Sequence, residues 1–459
     1  MKNRFDEYFD ALQGKTVGVL GLGVSNRPLT WLLLEHGCRV VGCDRTPREK
    51  LDDEVLELER MGAELHLGDS YLDHVNADVV FRTPGMHPDH PALEQLRCGG
   101  AQITSEMEVF FELCPCRIIA ITGSDGKTTT TTLVSEMLKA QGYTVWLGGN
   151  IGKPLLADVP RMGKEDYAVV ELSSFQLMDM RRSAPRAVIT NLAPNHLDVH
   201  KDMQEYIDAK TNVFRYQGSD GLLIVNADND ITAPMVGNGQ TRYFSRKKPV
   251  ENGVFCADGI IYRAKHGQIQ RVMAAGEILL PGDHNIENYM AAIAVTDGLV
   301  TDETVRHVAG TFGGVAHRIE LVREKDGVRF YNDSIASSPS RTISGLRSFP
   351  QKVILIAGGY DKHIPYDVLG PEICAHVKHL ILTGDTAEKI RCAVVDCPEY
   401  REGHPEMELV EDFAQAVHRA AAAARRGDVV LLSPASASFD RFKNFEVRGN
   451  YFKQLVMEL

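Results

Sequence analysis

With 459 residues, 44% of them hydrophobic and 24% charged, the chain has apolar material for roughly three cores rather than one. Its formal net charge of -12 argues against a general nucleic-acid or anionic-membrane binder. The nine cysteines are odd in number and scattered, and the charged first 13 residues lack an apolar stretch, so the expectation is a cytoplasmic protein with reduced thiols and no membrane insertion.

Residues 15–20 read as a strand that runs into Gly21-Leu-Gly23-Val24-Ser25-Asn26 and a helix over 29–36. A second strand at 39–43 ends in Asp44 and Arg45. Strand, glycine turn, helix, strand and terminal acid make a Rossmann-like half. Asn26 stands where a dinucleotide fingerprint has its third glycine, so an NAD enzyme is disfavoured. A different nucleotide would use the turn for its phosphates and Asp44 for its ribose or base. A further strand at 79–81 enters Arg82-Thr83-Pro-Gly85, a strand end of the kind that lines the crevice of an open α/β sheet. This first part ends near Thr104. Cys114-Pro-Cys116 is the one close cysteine pair, and no second Cys/His cluster has the spacing of a metal site.

The stretch from Ile118 through Thr122-Gly123-Ser124-Asp125-Gly126-Lys127-Thr128-Thr129 is a buried strand delivering a glycine loop to a helix that runs to Ala140. Backbone N–H groups cradle phosphate only where no Cβ intrudes, which explains the glycines. Lys127 would neutralise phosphate charge, the Thr128 hydroxyl would sit on Mg²⁺, and the helix N-terminus favours an anion. The general phosphate-loop pattern asks for glycine where this chain has Ile121.

Downstream, Asn150, Glu171 at the end of a strand over 167–172, and His196 after a strand over 187–192 all fall at strand C-termini. Their convergence is what a Mg²⁺ and phosphate site in a parallel sheet requires. Lys210 lies on a helix and by periodicity alone is an ordinary solvated lysine. After a strand at 222–226, residues 237–276 read as loops and short antiparallel strands, and Pro281-Gly-Asp-His-Asn-Ile-Glu-Asn288 caps an alanine-rich helix. From His317-Arg318-Ile-Glu320 onward, strands at 328–331, 353–357, 379–382 and 428–432 alternate with helices at 365–374, 387–394 and 412–425, a second doubly wound sheet.

The phosphate loop, Gly148-Gly-Asn150-Ile-Gly152, Glu171-Leu-Ser-Ser-Phe-Gln176, His284-Asn-Ile-Glu-Asn288, His317-Arg-Ile-Glu320 and Ser433-Pro-Ala-Ser-Ala-Ser438 with Lys443-Asn-Phe445 together resemble the Mur ligase family over nearly the whole chain. The family's shorter loop accounts for Ile121. The resemblance implies an α/β protein of three domains: a UDP-substrate domain at 1–104, a central ATP-binding phosphate-loop domain at 105–316 and a Rossmann-like amino-acid domain at 317–459. It implies ATP-dependent joining of D-glutamate to UDP-N-acetylmuramoyl-L-alanine through an acyl phosphate, by a monomer whose domains close around the reactants.

By family match Lys127, Glu171, His196 and Lys210 would be catalytic, and Thr128, Glu171, His196 and Lys210 would serve two Mg²⁺ ions, Lys210 as a CO₂-derived carbamate. Gly123, Ser124, Asp125, Gly126, Lys127, Thr128 and Thr129 would cradle ATP phosphates, with Asn288, Arg318 and Asp333 on adenine, phosphate and ribose. Val24, Ser25, Asp44, Arg45, Thr83 and Asn150 would hold the UDP-linked substrate, and Ser337, Lys362, Ser438 and Phe445 the glutamate. Two departures stand out. Ile335 replaces the commoner lysine, leaving Arg341 or Lys362 to grip the glutamate side chain, and Asp125 replaces the usual loop asparagine. Other Mur-type ligases, a folylpolyglutamate synthase and a noncatalytic nucleotide-binding regulator are the rival readings.

Overall fold

The computed structural model describes residues 3–194, 199–362 and 364–459. Its strands form three sheets in chain order. The first holds β1 (Thr16–Leu20), β2 (Arg39–Asp44), β3 (Glu64–Leu67), β4 (Val79–Phe81) and β5 (Gln102–Thr104), all parallel in the order β3-β2-β1-β4-β5. The strand order reverses at β1, so the turns after β1 and β4 flank one crevice. There a Cβ added to Gly21 would lie 3.0 Å from Thr83 Cβ, and Gly21 has φ +84°, so glycine is required on both counts.

The second sheet contains β6 (Arg117–Thr122), β7 (Val145–Gly149), β8 (Tyr167–Glu171), β9 (Arg186–Ile189), β10 (Leu222–Asn226), β11 (Gln240–Ser245), β12 (Gly253–Ala257), β13 (Ile260–Lys265) and β14 (Gln268–Ala274). Their order is β14-β13-β12-β11-β10-β9-β6-β8-β7, with β6 near the middle. Two sequence expectations change here. Within 237–276, β11 and β12 extend the parallel sheet, and only the β12-β13-β14 ribbon is antiparallel. The strand expected to reach residue 192 ends at Ile189, because the next residues wrap the glycine loop instead: Thr190 Oγ1 donates to Asp125 O at 2.6 Å, and Asn191 O accepts Ser124 N at 2.9 Å.

The third sheet is β15 (Glu320–Lys325), β16 (Val328–Asn332), β17 (Val353–Ala357), β18 (Val377–Leu382), β19 (Glu406–Leu409) and β20 (Val429–Leu432), in the order β15-β16-β20-β17-β18-β19. Only β15 and β16 pair antiparallel. Along β17 the side chains alternate between two cores, Leu355 joining Leu380 and Leu431 on one face and Ile354 and Ile356 joining Val430 and Phe452 on the other.

By contacts the chain divides into two compact units, Met1–Gly276 with Ile286–Val308, and Glu277–Asn285 with Ala309–Leu459. The first unit carries two sheets over one continuous core, in which Val19 and Leu33 of the first sheet region, Phe110 of the helix Glu106–Leu113, and Ala120 and Val170 of the second sheet belong to a single cluster. All nine cysteines are free. Among the described residues no helix is long and apolar enough to cross a membrane.

Candidate functional site

β6 ends at Thr122 and the helix Lys127–Ala140 begins on its glycine cap, so residues 123–126 form the turn between them. A Cβ on Gly123 (φ +148°) would lie 1.9 Å from Thr190 Oγ1, and one on Gly126 (φ +77°) 2.3 Å from Asn288 Oδ1. Neither position admits a side chain. Ser124 Oγ meets Tyr206 OH at 2.8 Å and takes Ala193 N at 2.9 Å, while Asp125 N donates to Asn191 Oδ1 at 3.0 Å and its side chain points to solvent. Lys127 Nζ folds back onto Ser124 O at 2.8 Å, and Thr128 and Thr129 open the helix. The loop is therefore shaped before any anion arrives.

Beneath the loop lie two buried ionisable side chains. Lys210, 2% exposed, sits on the helix Met203–Arg215; its Nζ donates to Gly123 O at 2.9 Å and Thr122 Oγ1 at 3.1 Å and lies 4.9 Å from the Tyr206 ring centroid. Burial, reinforced by the nearby Lys127 charge, pulls its pKa well below 10.5, against the opposing pull of Glu171 and Asp125. The solvated lysine of the sequence reading is thus a core residue. Glu171, 1% exposed at the end of β8, accepts Asn150 Nδ2 on Oε1 at 2.7 Å, while its Oε2 is buried with no hydrogen-bond partner. A carboxylate oxygen in that condition costs free energy unless a cation or donor reaches it.

The Thr128 hydroxyl at the start of the helix and the unsatisfied Glu171 oxygen are donors of the hard oxygen type that a divalent ion takes, whereas the Lys210 amine is a nitrogen and would have to be converted to an oxygen donor to join them. His196 lies outside the described residues. The ligand atoms of His87, Asp89 and Glu205 also come within 4.8 Å of one another, but Lys201 already pairs with both acids and offsets one of their two charges. Sequence reasoning missed Tyr206, which supports Ser124 and faces Lys210; the i, i+4 spacing of the two on one helix was the available signal.

The remaining candidates of the first unit divide by role. Val24 is 69% exposed and Ser25 half-buried at the β1 turn, and Arg45 is exposed. Both Asp44 oxygens already accept backbone N–H groups, Leu22 at 2.7 Å and Thr46 at 2.8 Å, so this acid shapes the turn as well as facing it. Asn288 Oδ1 takes Thr130 Oγ1 at 3.2 Å and packs on Gly126, which makes it a support for the phosphate loop.

In the second unit, Arg318 is flanked by His317 (φ +63°) and Ile319 (φ +45°), an uncommon backbone for non-glycine residues and costly for a β-branched one. Asp333 is buried, accepts Ser433 Oγ at 2.7 Å and Ile319 N at 3.3 Å, and burial pushes its pKa up to about 7 despite Arg318 and Arg341. Ser438 is buried, Ser337 half-buried, and Lys362 exposed. Phe445 meets the His317 ring edge-on at 5.9 Å. Arg341 Nη1 donates to Ile335 O at 3.2 Å, bringing a cation onto the segment that lacks the lysine.

Two family models match this chain, the Mur ligase middle domain over residues 121–296 and the Mur ligase glutamate ligase domain over 317–436. The chain belongs to the Mur ligase family. Among its relatives, UDP-N-acetylmuramoylalanine–D-glutamate ligase of Acetivibrio thermocellus is 49% identical over 461 residues, covering 99% of either chain. The Clostridium novyi protein of the same name is 48% identical over 463 residues, covering 100% of both. In fold, the crystal structure of UDP-N-acetylmuramate-alanine ligase MurC from Thermotoga maritima superposes with a TM-score of 0.57 at 18% identity, over 97% of this chain and 99% of that one.

Proposed function

We propose that the chain is an ATP-dependent ligase that joins D-glutamate to UDP-N-acetylmuramoyl-L-alanine. Residues 1–104 hold the UDP-linked substrate, 105–316 the ATP and 317–459 the amino acid. The observation that carries the reading is the meeting of a preformed phosphate loop with two buried ionisable groups, Lys210 and a Glu171 whose Oε2 has no hydrogen-bond partner. Two full-length relatives near half identity with that printed activity support it.

The reaction follows from the charges. The N–H groups of residues 123–128 and the Lys127 ammonium bind and orient the phosphates of ATP. An alanyl carboxylate oxygen attacks the γ-phosphorus, the bond to the β-γ bridging oxygen breaks, and ADP leaves with an acyl phosphate behind. The glutamate amine then attacks the acyl carbon, loses a proton, and expels phosphate. Two anions must meet in the first step, and a divalent ion such as Mg²⁺, when bound, would offset their repulsion. Thr128, Glu171, His196 and Lys210 would hold two such ions. For that role the Lys210 amine, once deprotonated, would add CO₂, forming an N–C bond and releasing a proton to leave an anionic carbamate. Asn150 holds Glu171 through Oε1 and leaves Oε2 free to take such an ion, and Arg318 and Asp333 would bind phosphate and ribose.

Val24, Ser25, Asp44, Arg45 and Thr83 bind the UDP-linked substrate; Ser337, Lys362, Ser438 and Phe445 bind the glutamate, with Arg341 supplying the charge that Ile335 lacks. The protein acts as a cytoplasmic monomer. Phosphate release from ATP, measured with UDP-N-acetylmuramoyl-L-alanine and each candidate amino acid in turn, tests the assignment: D-glutamate is expected to drive release, and a different amino acid doing so would reassign the third domain.

A further inference from the structure

The turn after β4 is held by one side chain. Arg82 is 1% exposed, and its guanidinium faces two ways. On one side Nη1 donates to the carbonyls of its own turn, Met86 at 2.6 Å, Thr83 at 3.1 Å and Pro84 at 3.4 Å. On the other, Nε and Nη2 form a two-point ion pair with the Asp179 carboxylate, Nε to Oδ2 at 3.1 Å, and Nη2 also reaches Phe175 O at 3.3 Å. Asp179 and Phe175 belong to the segment that follows Glu171 and Ser173 in the second sheet, whereas Thr83 packs directly on Gly21 of the first. A single buried fork therefore ties the glycine turn of the first sheet to the strand end that carries Glu171. The same side chain lines a small cavity with Ser25, Asn26, Glu106 and Gln176. Asn26 is 1% exposed, and its buried Oδ1 has no hydrogen-bond partner.

We infer that Arg82 is a positioning residue that sets the span between the nucleotide turn of the first sheet and the phosphate-loop site of the second, and so sets how well a UDP-linked substrate bridges the two. This rests on the proposed ligase reading. Bridging needs both ends fixed, since a displacement of about an ångström at a reacting centre costs about a hundredfold. A lysine would keep the charge at position 82 but has no planar fork to serve a carboxylate and four carbonyls together.

The test uses the full chain with Arg82→Met, Arg82→Lys, Asp179→Asn and the double variant Arg82→Met/Asp179→Asn. Calorimetry gives the affinity for UDP-N-acetylmuramoyl-L-alanine, and steady-state assays give kcat and the KM for ATP. Arg82→Met and Asp179→Asn are each expected to weaken nucleotide binding roughly tenfold or more, well beyond any change in the KM for ATP. Arg82→Lys should recover only part of the loss, and the double variant should bind no more weakly than Arg82→Met, because the two partners act as one unit. Unchanged nucleotide affinity, or equal scaling of every parameter, would overturn the inference. Should Arg82→Met fail to fold, Arg82→Lys and Asp179→Asn decide by the same criterion. A wild type that binds the nucleotide without consuming ATP sinks the ligase reading alone, and the affinities still judge Arg82. A wild type that binds no UDP-linked substrate overturns both.

Discussion

Lys210 and Arg448 are both cations buried to about the same degree, 2% exposed each, yet their surroundings treat them in opposite ways. Arg448 sends its donors to Ser334 Oγ at 3.0 Å, Ser334 O and Ala437 O at 2.9 Å, and Ser436 O at 3.1 Å, so four neutral acceptors replace its water shell. Burial brings its pKa down only to about 10, and it stays charged at neutral pH. Lys210 has two acceptors, a second cation nearby and a carboxylate with an unsatisfied oxygen, and burial pulls its pKa well below 10.5. Arg448 is architecture, stitching the Ser334 and Ser436 segments together. Lys210, beside an acid with one unpartnered oxygen, is the candidate reactive centre.

Replacing Lys210 is the strongest way to test that contrast. Lys210→Ala is expected to lower kcat about a thousandfold with folding intact, and added short carboxylates should restore part of the rate, as read by ADP production. Lys210→Arg, which cannot lose its proton, should be as inactive. If either variant keeps near-wild-type turnover, the reactive half of the comparison fails. Glu171→Gln should cost about a hundredfold in turnover and weaken Mg²⁺ dependence, while calorimetric ATP affinity changes far less. Normal turnover would leave its unsatisfied oxygen without a purpose.

Arg448→Met probes the architectural side. Leaving buried carbonyls and the Ser334 hydroxyl without their donor should destabilise the second unit by about 3 kcal/mol, measured as a lower denaturant midpoint for its transition. A loss of turnover without that shift would move Arg448 into the reactive class.

The smallest effect concerns a third buried group. Glu106 is buried, accepts Leu156 N at 3.1 Å, and burial raises its pKa from 4.5 to about 7. Between these values the folded chain keeps a proton that the unfolded chain releases, so stability falls as pH rises through that window. Glu106→Gln should therefore be neutral below about pH 4.5 and gain up to about 3 kcal/mol above pH 7, followed by chemical denaturation across pH. A gain independent of pH would mean that the acid is already ionised without penalty.

Much of this was legible in the chain, for local reasons. The phosphate loop follows from glycine conformation and strand-helix order, and β16, β17, β18 and β20 announce themselves as apolar runs between turns. The helix Phe445–Glu458 escaped notice because its buried residues include Arg448 and Gly449, which do not read as an apolar face. The helix Glu106–Leu113 begins with a buried acid for a similar reason. Lys210 looked solvated because periodicity records which face a residue occupies and not what packs against it; the loop that covers it is 87 residues away along the chain. Arg82 was visible only as a strand-end residue, since its partner Asp179 lies 97 residues away, in the turn after the helix Ser174–Leu177.

In the proposed reaction ATP phosphorylates the substrate carboxylate before the amine captures it. With ¹⁸O in both oxygens of the alanyl carboxylate of UDP-N-acetylmuramoyl-L-alanine, and ATP and D-glutamate supplied, each phosphate released is expected to carry one labelled oxygen. Phosphate released without the label, while the amide forms, would contradict it.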